Sequence, residues 1–165
     1  MVLNKNYEYG TPQDVEKFEV SLQSLEFLTD LEARINIDDV GSSPLQLTLR
    51  HLPLSLRALC LSGNNLTFSE KEVASLENLN SIKFYKAPTP QVQASLSPSL
   101  KALTLRSLSQ DLLPHLKSLT SLCITIQRGD AVVWDLPLLK ELTIYDIWYH
   151  FSLKDLPSLR LIALE

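Results

Sequence analysis

Glycine and basic charge are both scarce in this 165-residue chain. It contains four glycines, so its turns are not built on the glycine-rich chemistry of β-hairpin proteins. Its net charge is -4, without the basic excess typical of nucleic-acid-binding domains, and we expect no nucleic-acid partner. No apolar run approaches the ~18 residues that a membrane helix needs, and no apolar stretch follows a positive start at the N-terminus. The sequence therefore predicts a soluble protein without a membrane span or a secretory signal.

Motifs for catalysis and metal binding are also missing from the sequence. No acid or cysteine stands at the spacing of a metal site from any of the three histidines, which are His51, His115 and His150. Neither H-E-x-x-H, nor G-x-S-x-G, nor a glycine-rich phosphate loop occurs. Cys60 or Cys123 would act as a nucleophile only if a histidine approached it in space, and a packing role on a sheet face is the favoured interpretation. We therefore expect no enzyme activity, no metal and no cofactor.

A repeated leucine pattern is the dominant feature that the sequence does have. Residues 56–66 read LRALCLSGNNL and match the template L-x-x-L-x-L-x-x-N-x-L without a mismatch. The first six positions of that template recur downstream with starts at Leu79, Leu100, Leu119, Leu139 and Leu159. Successive starts are 23, 21, 19, 20 and 20 residues apart. The alternating middle of each match predicts a short strand, so residues 56–165 should supply six strands of a parallel sheet.

The first third of the chain fits the template less well. Residues 1–14 are polar and rich in turn formers, which predicts a flexible lead-in. Residues 15–55 predict an N-terminal cap and degenerate repeats, with a strand at Ile35 and Ile37, because an end repeat without a cap leaves the stacked core open to water. Within them, residues 41–55 fit either a short irregular repeat or a strand that bulges out of the solenoid.

The short repeat spacing limits what can lie behind the strands. Most repeats have 19 to 21 residues, which leaves little room for a long helix. A Leu-Pro pair precedes four strands: Leu52 and Pro53, Leu113 and Pro114, Leu136 and Pro137, and Leu156 and Pro157. Proline fixes φ and has no amide hydrogen, so it suits an extended or turning segment. The predicted fold class is an α/β solenoid with a short 3₁₀ or irregular convex side.

The two cysteines, Cys60 and Cys123, occupy equivalent positions three repeats apart. With strands ~4.8 Å apart, their backbones should lie roughly 14 Å from each other. A disulfide requires a separation below ~7 Å. We therefore expect two reduced thiols, which fits a cytoplasmic protein.

The strings LPLLKELTI, at 136–144, and LPSLRLIAL, at 156–164, point to a family. Over roughly residues 15–165 the chain resembles leucine-rich repeat proteins, and these strings are similar to the short-repeat bacterial type found in effectors that pathogens inject into host cells. Similar strings occur in plant immune receptors. The resemblance implies a horseshoe with a parallel β-sheet on its concave face, located in the cytoplasm, or in the host cytosol for an injected effector. The chain departs from the family pattern because the template asparagine occurs once, at Asn64, and no catalytic domain is present.

Candidate binding residues follow from the alternation within each strand. Positions three, five and seven point away from the core and stack in columns on the concave sheet. Small residues fill most of these positions, whereas four larger ones stand out: Lys83, Tyr85, Arg106 and Tyr145. Tyrosine and arginine often dominate binding energy at interfaces. The alternative is that a solvated sheet simply carries some long polar side chains.

A ring-rich string, IWYHF at residues 147–151, gives a fifth candidate, Trp148. Four ring-bearing residues in succession cannot all face inward from one strand. Either Trp148 and Phe151 fill the convex core, which we favour, or they form an exposed anchor for a partner.

The last residues, LPSLRLIALE, supply an apolar strand and then stop in mid-repeat. Either the natural protein continues beyond this point, or the chain is an excised piece. An exposed edge strand invites self-association. The sequence therefore predicts self-association through this C-terminal edge.

These observations favour a non-catalytic module that binds another protein on its concave sheet. The alternative is the substrate-recognition domain of a larger enzyme, such as a ubiquitin ligase, whose catalytic domain is absent from this chain. A structural, self-assembling repeat is a third hypothesis.

Overall fold

The computed structural model describes residues 1–10, 17, 22, 24–37, 47–49, 51–62, 66–85, 88–105, 115–125, 135–145 and 156–164. Ten strands occur in these ranges, numbered in chain order: Val2–Gly10 (β1), Asp30–Ile37 (β2), Leu47–Leu49 (β3), Ala58–Ser62 (β4), Leu66–Phe68 (β5), Ser81–Phe84 (β6), Ala102–Leu105 (β7), Ser121–Thr125 (β8), Glu141–Tyr145 (β9) and Leu161–Leu164 (β10).

Eight of the strands form one sheet in the order β1-β2-β4-β6-β7-β8-β9-β10, and every pairing in it is parallel. The predicted parallel sheet is therefore confirmed. Each of the six leucine templates places a strand in this sheet, beginning at the third template residue. The arrangement is that of a solenoid-like α/β repeat fold.

The leucine template sets which face of the sheet is buried. Side chains alternate between buried and partly exposed along β6, β7 and β8. The fourth template residue is about 1% exposed in five successive repeats: Leu59, Ile82, Leu103, Leu122 and Leu142. Burying such a side chain fully contributes roughly 1.5–3 kcal/mol. These residues form one continuous core behind the sheet, together with the leucines that open each template.

A tight turn leads into each strand and ties it to the preceding repeat. In the repeat that starts at Leu79, the amide of Leu79 donates to the carbonyl of Leu76 at 3.1 Å. The next two amides, of Asn80 and Ser81, donate to the carbonyl of Arg57 in the preceding repeat. Equivalent bonds recur at the later repeats, so the same backbone geometry repeats along the solenoid.

Side chains in these turns add bonds between neighbouring repeats. The Ser55 hydroxyl donates to the carbonyl of Leu28 at 2.7 Å, and the Asn78 amide donates to the carbonyl of Leu54 at 3.2 Å. These links lie at the start of the strands. The single template asparagine, Asn64, lies outside the described residues.

In place of the flexible lead-in expected over residues 1–14, residues 2–10 form β1, which pairs with β2 along most of its length. The amide of Thr29 donates to the carbonyl of Met1 at 3.0 Å, and the Met1 ammonium donates to the Thr29 hydroxyl at 3.3 Å. Backbone pairing, which requires no leucine template, therefore orders this polar segment. The strand predicted at Ile35 and Ile37 is β2, which begins five residues earlier, at Asp30.

Short helices and a small second sheet accompany the main sheet. Helix α1 spans Glu70–Ser75 and helix α2 spans Pro90–Ala94, each with an N-cap side chain that accepts an amide hydrogen. They lie in the two longest repeats, where the extra residues allow an α-helical turn instead of the expected 3₁₀ or irregular segment. Strands β3 and β5 pair with each other outside the main sheet, so part of residues 41–55 is a strand that leaves the solenoid sheet. Within the described ranges, none of the helices has the length and apolar character needed to cross a bilayer.

Candidate functional site

The face of the main sheet that points away from the core is here called the open face. Its middle row is fixed by the strand register, which places the following residues side by side: Glu32, Cys60, Lys83, Thr104, Cys123 and Thr143. Each of them is partly exposed, whereas the residues before and after Lys83 are buried. Alternation along the strands therefore brings side chains that are far apart in sequence into one line.

Lys83 and Tyr85 form the most distinctive pair on the open face. Lys83 belongs to β6 and Tyr85 follows that strand directly, so the two side chains share a face. The Lys83 Nζ atom lies 4.6 Å from the centre of the Tyr85 ring, within the range of a cation–π contact. A side-chain hydrogen bond with Tyr85 raises the pKa of Lys83 above its ordinary value, against the opposing effect of partial burial. The ammonium is therefore charged and held in place at neutral pH.

Cys60 lies next to Lys83 in the middle row and is surrounded by charged groups. Its thiol pKa is raised, first by burial and then by the Glu32 carboxylate, while Lys83, Arg34 and Tyr85 act in the opposite direction. Glu32, Arg34, Lys83 and Tyr85 therefore all lie close enough to act on the Cys60 thiol, and we call these five residues the β2–β6 cluster. A thiol with a raised pKa is a poor nucleophile at neutral pH.

Both cysteines are free and partly exposed on the open face, in agreement with the predicted reduced thiols. β6 and β7 separate their strands. Three strand spacings therefore separate Cys60 from Cys123, which gives the predicted backbone distance of roughly 14 Å.

Tyr145 lies on the same face but away from the cluster. It ends β9, is exposed, and stands opposite Thr125 of β8. Three strand spacings separate β9 from β6, which is about 14 Å. On the two intervening strands, the described open-face residues are small, among them Thr104, Cys123 and Thr125.

Three of the five candidate residues thus share the open face, and the other two, Arg106 and Trp148, lie outside the described residues, as does the whole IWYHF string. Glu32 and Arg34 were not among the predicted residues, because the predicted columns start at the repeat that begins with Leu56. Alternation in the string DLEAR, at residues 30–34, is the signal that could have placed them.

Metal binding finds no support in the parts of the chain that the structure covers. Across those parts, no group of three or more His, Cys, Asp or Glu residues is arranged to hold a metal ion. The two described histidines, His51 and His115, are exposed and lie in separate turn regions.

The chain was compared with protein families, curated proteins and solved structures. No family model, no curated protein and no solved structure matches it.

Proposed function

We propose that this chain is a leucine-rich repeat horseshoe that binds a partner protein through its open face, which would be the concave side. Template spacing supports the horseshoe, because six matches in 19 to 23 residue steps each supply one strand to a single parallel sheet. Solenoids of this kind use their extended sheet face for binding.

The Lys83–Tyr85 pair is the observation that carries this proposal. Both side chains are ordered by contact with each other before any partner arrives, so binding costs less side-chain entropy. A tyrosine offers a large, rigid contact area that combines an apolar ring with a hydroxyl. The neighbours of Lys83 on the adjacent strands, Cys60 and Thr104, are small and let a partner approach this pair closely.

The charges of the open face favour a protein over a polyanion. Glu32 lies on one side of Lys83, and Glu141 lies on β9 toward the other end of the sheet. Opposite charges in alternation suit a mixed protein surface, because complementary charges set orientation and reject wrong partners. A nucleic acid would meet repulsion from both carboxylates.

A binding experiment with matched variants tests the proposal. The chain carrying Lys83→Glu and Tyr85→Ala is compared with a control carrying Lys71→Glu and Phe27→Ala, which reverses one lysine charge and removes one aromatic ring at exposed residues of α1 and of a turn. Both immobilised chains are exposed to cytosolic extract, captured proteins are identified by mass spectrometry, and their affinities are measured with the purified partner. Circular dichroism confirms that both variants fold.

The site variant should lose a partner that the wild-type chain and the control variant retain. If the pair is a hot spot of the interface, its replacement costs about 2 kcal/mol or more, so affinity should fall at least about 30-fold. Equal affinities of the two variants would show that the partner binds elsewhere. No captured protein at all, with a folded wild-type chain, would contradict a protein-binding role in that cytosol.

A further inference from the structure

The C-terminal edge of the main sheet leaves a core position uncovered. Ile162 of β10 is the counterpart of Leu142 in β9, yet it is 42% exposed whereas Leu142 is 1% exposed. Leu161, on the open face of the same strand, is 57% exposed. Strand β10 is the last strand of the sheet order, so no described strand covers these two side chains.

The N-terminal edge has matching properties. Strand β1 is the other outermost strand of the sheet. Val2 lies in the row that includes Ala58 and Glu141, and it is 73% exposed. Leu3, in the row of buried leucines, is packed against the core but only partly buried. Each edge strand thus has one apolar side chain on the open face and one on the core face of the sheet.

The backbone groups of the two edges are complementary as well. At successive junctions the carbonyls of Thr120 and Lys140 accept amide hydrogens from the first residue of the next strand, at 3.1 and 3.0 Å. Arg160 is the next residue in this series, so its carbonyl is directed to the position of a further strand. On β1, the Met1 carbonyl faces β2, and neighbouring residues of a parallel strand direct their groups to opposite sides. The Val2 amide therefore points outward as a donor.

We propose that a second copy of this chain docks its β1 against β10, which continues the parallel sheet from one molecule into the next. In the register of the inner strands, Val2 stands opposite Leu161, and Leu3 stands opposite Ile162. The Val2 amide then donates to the carbonyl of Arg160. Apolar side chains meet on both faces, so Ile162 gains the cover that Leu142 receives from its neighbours.

This contact is heterologous, because β1 of one copy meets β10 of the other and each molecule keeps one free edge. It therefore builds open-ended chains of molecules whose average length rises with concentration. Direct contact between two β10 strands would instead give a closed dimer. That difference separates the two arrangements experimentally.

Single charged substitutions block one edge at a time. Val2→Lys disables the β1 edge and Ile162→Lys disables the β10 edge, and both side chains are exposed, so the fold is retained, as thermal unfolding will verify. Leu138→Lys is the matched control, since Leu138 is similarly exposed but lies in the turn before β9 and not on an edge strand. Each purified 165-residue chain is studied by sedimentation equilibrium over a range of concentrations.

The wild-type chain and the Leu138→Lys variant should show an average mass that rises with concentration beyond twice the 18.6 kDa of one chain. The Val2→Lys and Ile162→Lys variants should each remain monomeric. Mixed in equal amounts, they should form a dimer and nothing larger, because Val2→Lys retains its β10 edge and Ile162→Lys retains its β1 edge.

Three results would overturn the proposal. A wild-type chain that stays monomeric at all concentrations has no such contact. A Val2→Lys variant that dimerises alone would show β10 pairing with β10. Dissociation by Leu138→Lys would show that exposed apolar turns, rather than strand edges, cause the association.

Discussion

Replacing Leu142 by alanine tests the stacking of the repeats at one residue. Leu142 is 1% exposed and stands between Leu122 of β8 and Ile162 of β10. Truncating a buried leucine removes its transfer free energy and leaves a cavity, which together cost about 2–5 kcal/mol. Leu54→Ala is the control, because this leucine of the turn before β4 is largely exposed and its loss should cost no more than about 0.5 kcal/mol.

Urea unfolding followed by circular dichroism and tryptophan fluorescence measures both effects. With a denaturant slope of about 2 kcal/mol/M, a loss of about 3 kcal/mol lowers the midpoint by about 1.5 M. The control midpoint should move by less than about 0.3 M. Two probes are needed because long repeat arrays can unfold in stages.

A second substitution distinguishes neighbouring repeats from distant ones. Leu122→Ala combined with Leu142→Ala removes two leucines from paired strands. Their losses in free energy of unfolding should depart from additivity by roughly 0.5 kcal/mol or more, as expected for residues in contact. Leu59→Ala combined with Leu142→Ala changes strands β4 and β9, which three others separate, and these effects should add. A Leu142→Ala variant as stable as the wild-type chain would refute the predicted core.

Two further predictions concern the open face and the turns. Because the pKa of Cys60 is raised, its alkylation by iodoacetamide should have a midpoint above pH 9.0. Glu32→Gln should lower that midpoint and Lys83→Gln should raise it. Peptide mapping at a series of pH values measures these midpoints. Unchanged alkylation midpoints in both variants would contradict the cluster. The folded thiol binds its proton more tightly than the unfolded one, so the stability contributed by Cys60 is present below pH 9.0 and is lost as the pH rises through the folded pKa. Ser55→Ala removes a hydroxyl that donates to the preceding repeat, so the free energy of unfolding should fall by about 1 kcal/mol in urea titrations, whereas an unchanged value would show that water replaces this bond.

The leucine template was enough to predict the six strands from Ala58 onward and their parallel order. This succeeded because each template buries one side of a short strand, and repeated burial at a nearly constant spacing permits few arrangements other than stacking. The free cysteines were predictable for the same reason, since the strand order fixes how far Cys60 lies from Cys123.

The N-terminal strands were harder to predict because their pairing depends on the backbone. The string VLNKNYEYG has no leucine periodicity, and its order comes from hydrogen bonds to β2. Glu32 and Arg34 were missed as a consequence, although they lie one strand from Cys60. The electrostatic surroundings of Cys60 depend on this neighbouring strand, so template columns alone do not describe the site.

The central claim is that the repeats stack as one parallel sheet in register, which brings Cys60 and Cys123 onto the open face with Lys83 between them. The chain has only these two cysteines, so nitroxide labels can be attached to the native sequence and their separation measured by electron paramagnetic resonance. The claim predicts a single narrow distance distribution that corresponds to backbones about 14 Å apart, three strand spacings. A broad distribution, or a separation too long for three spacings, would contradict it.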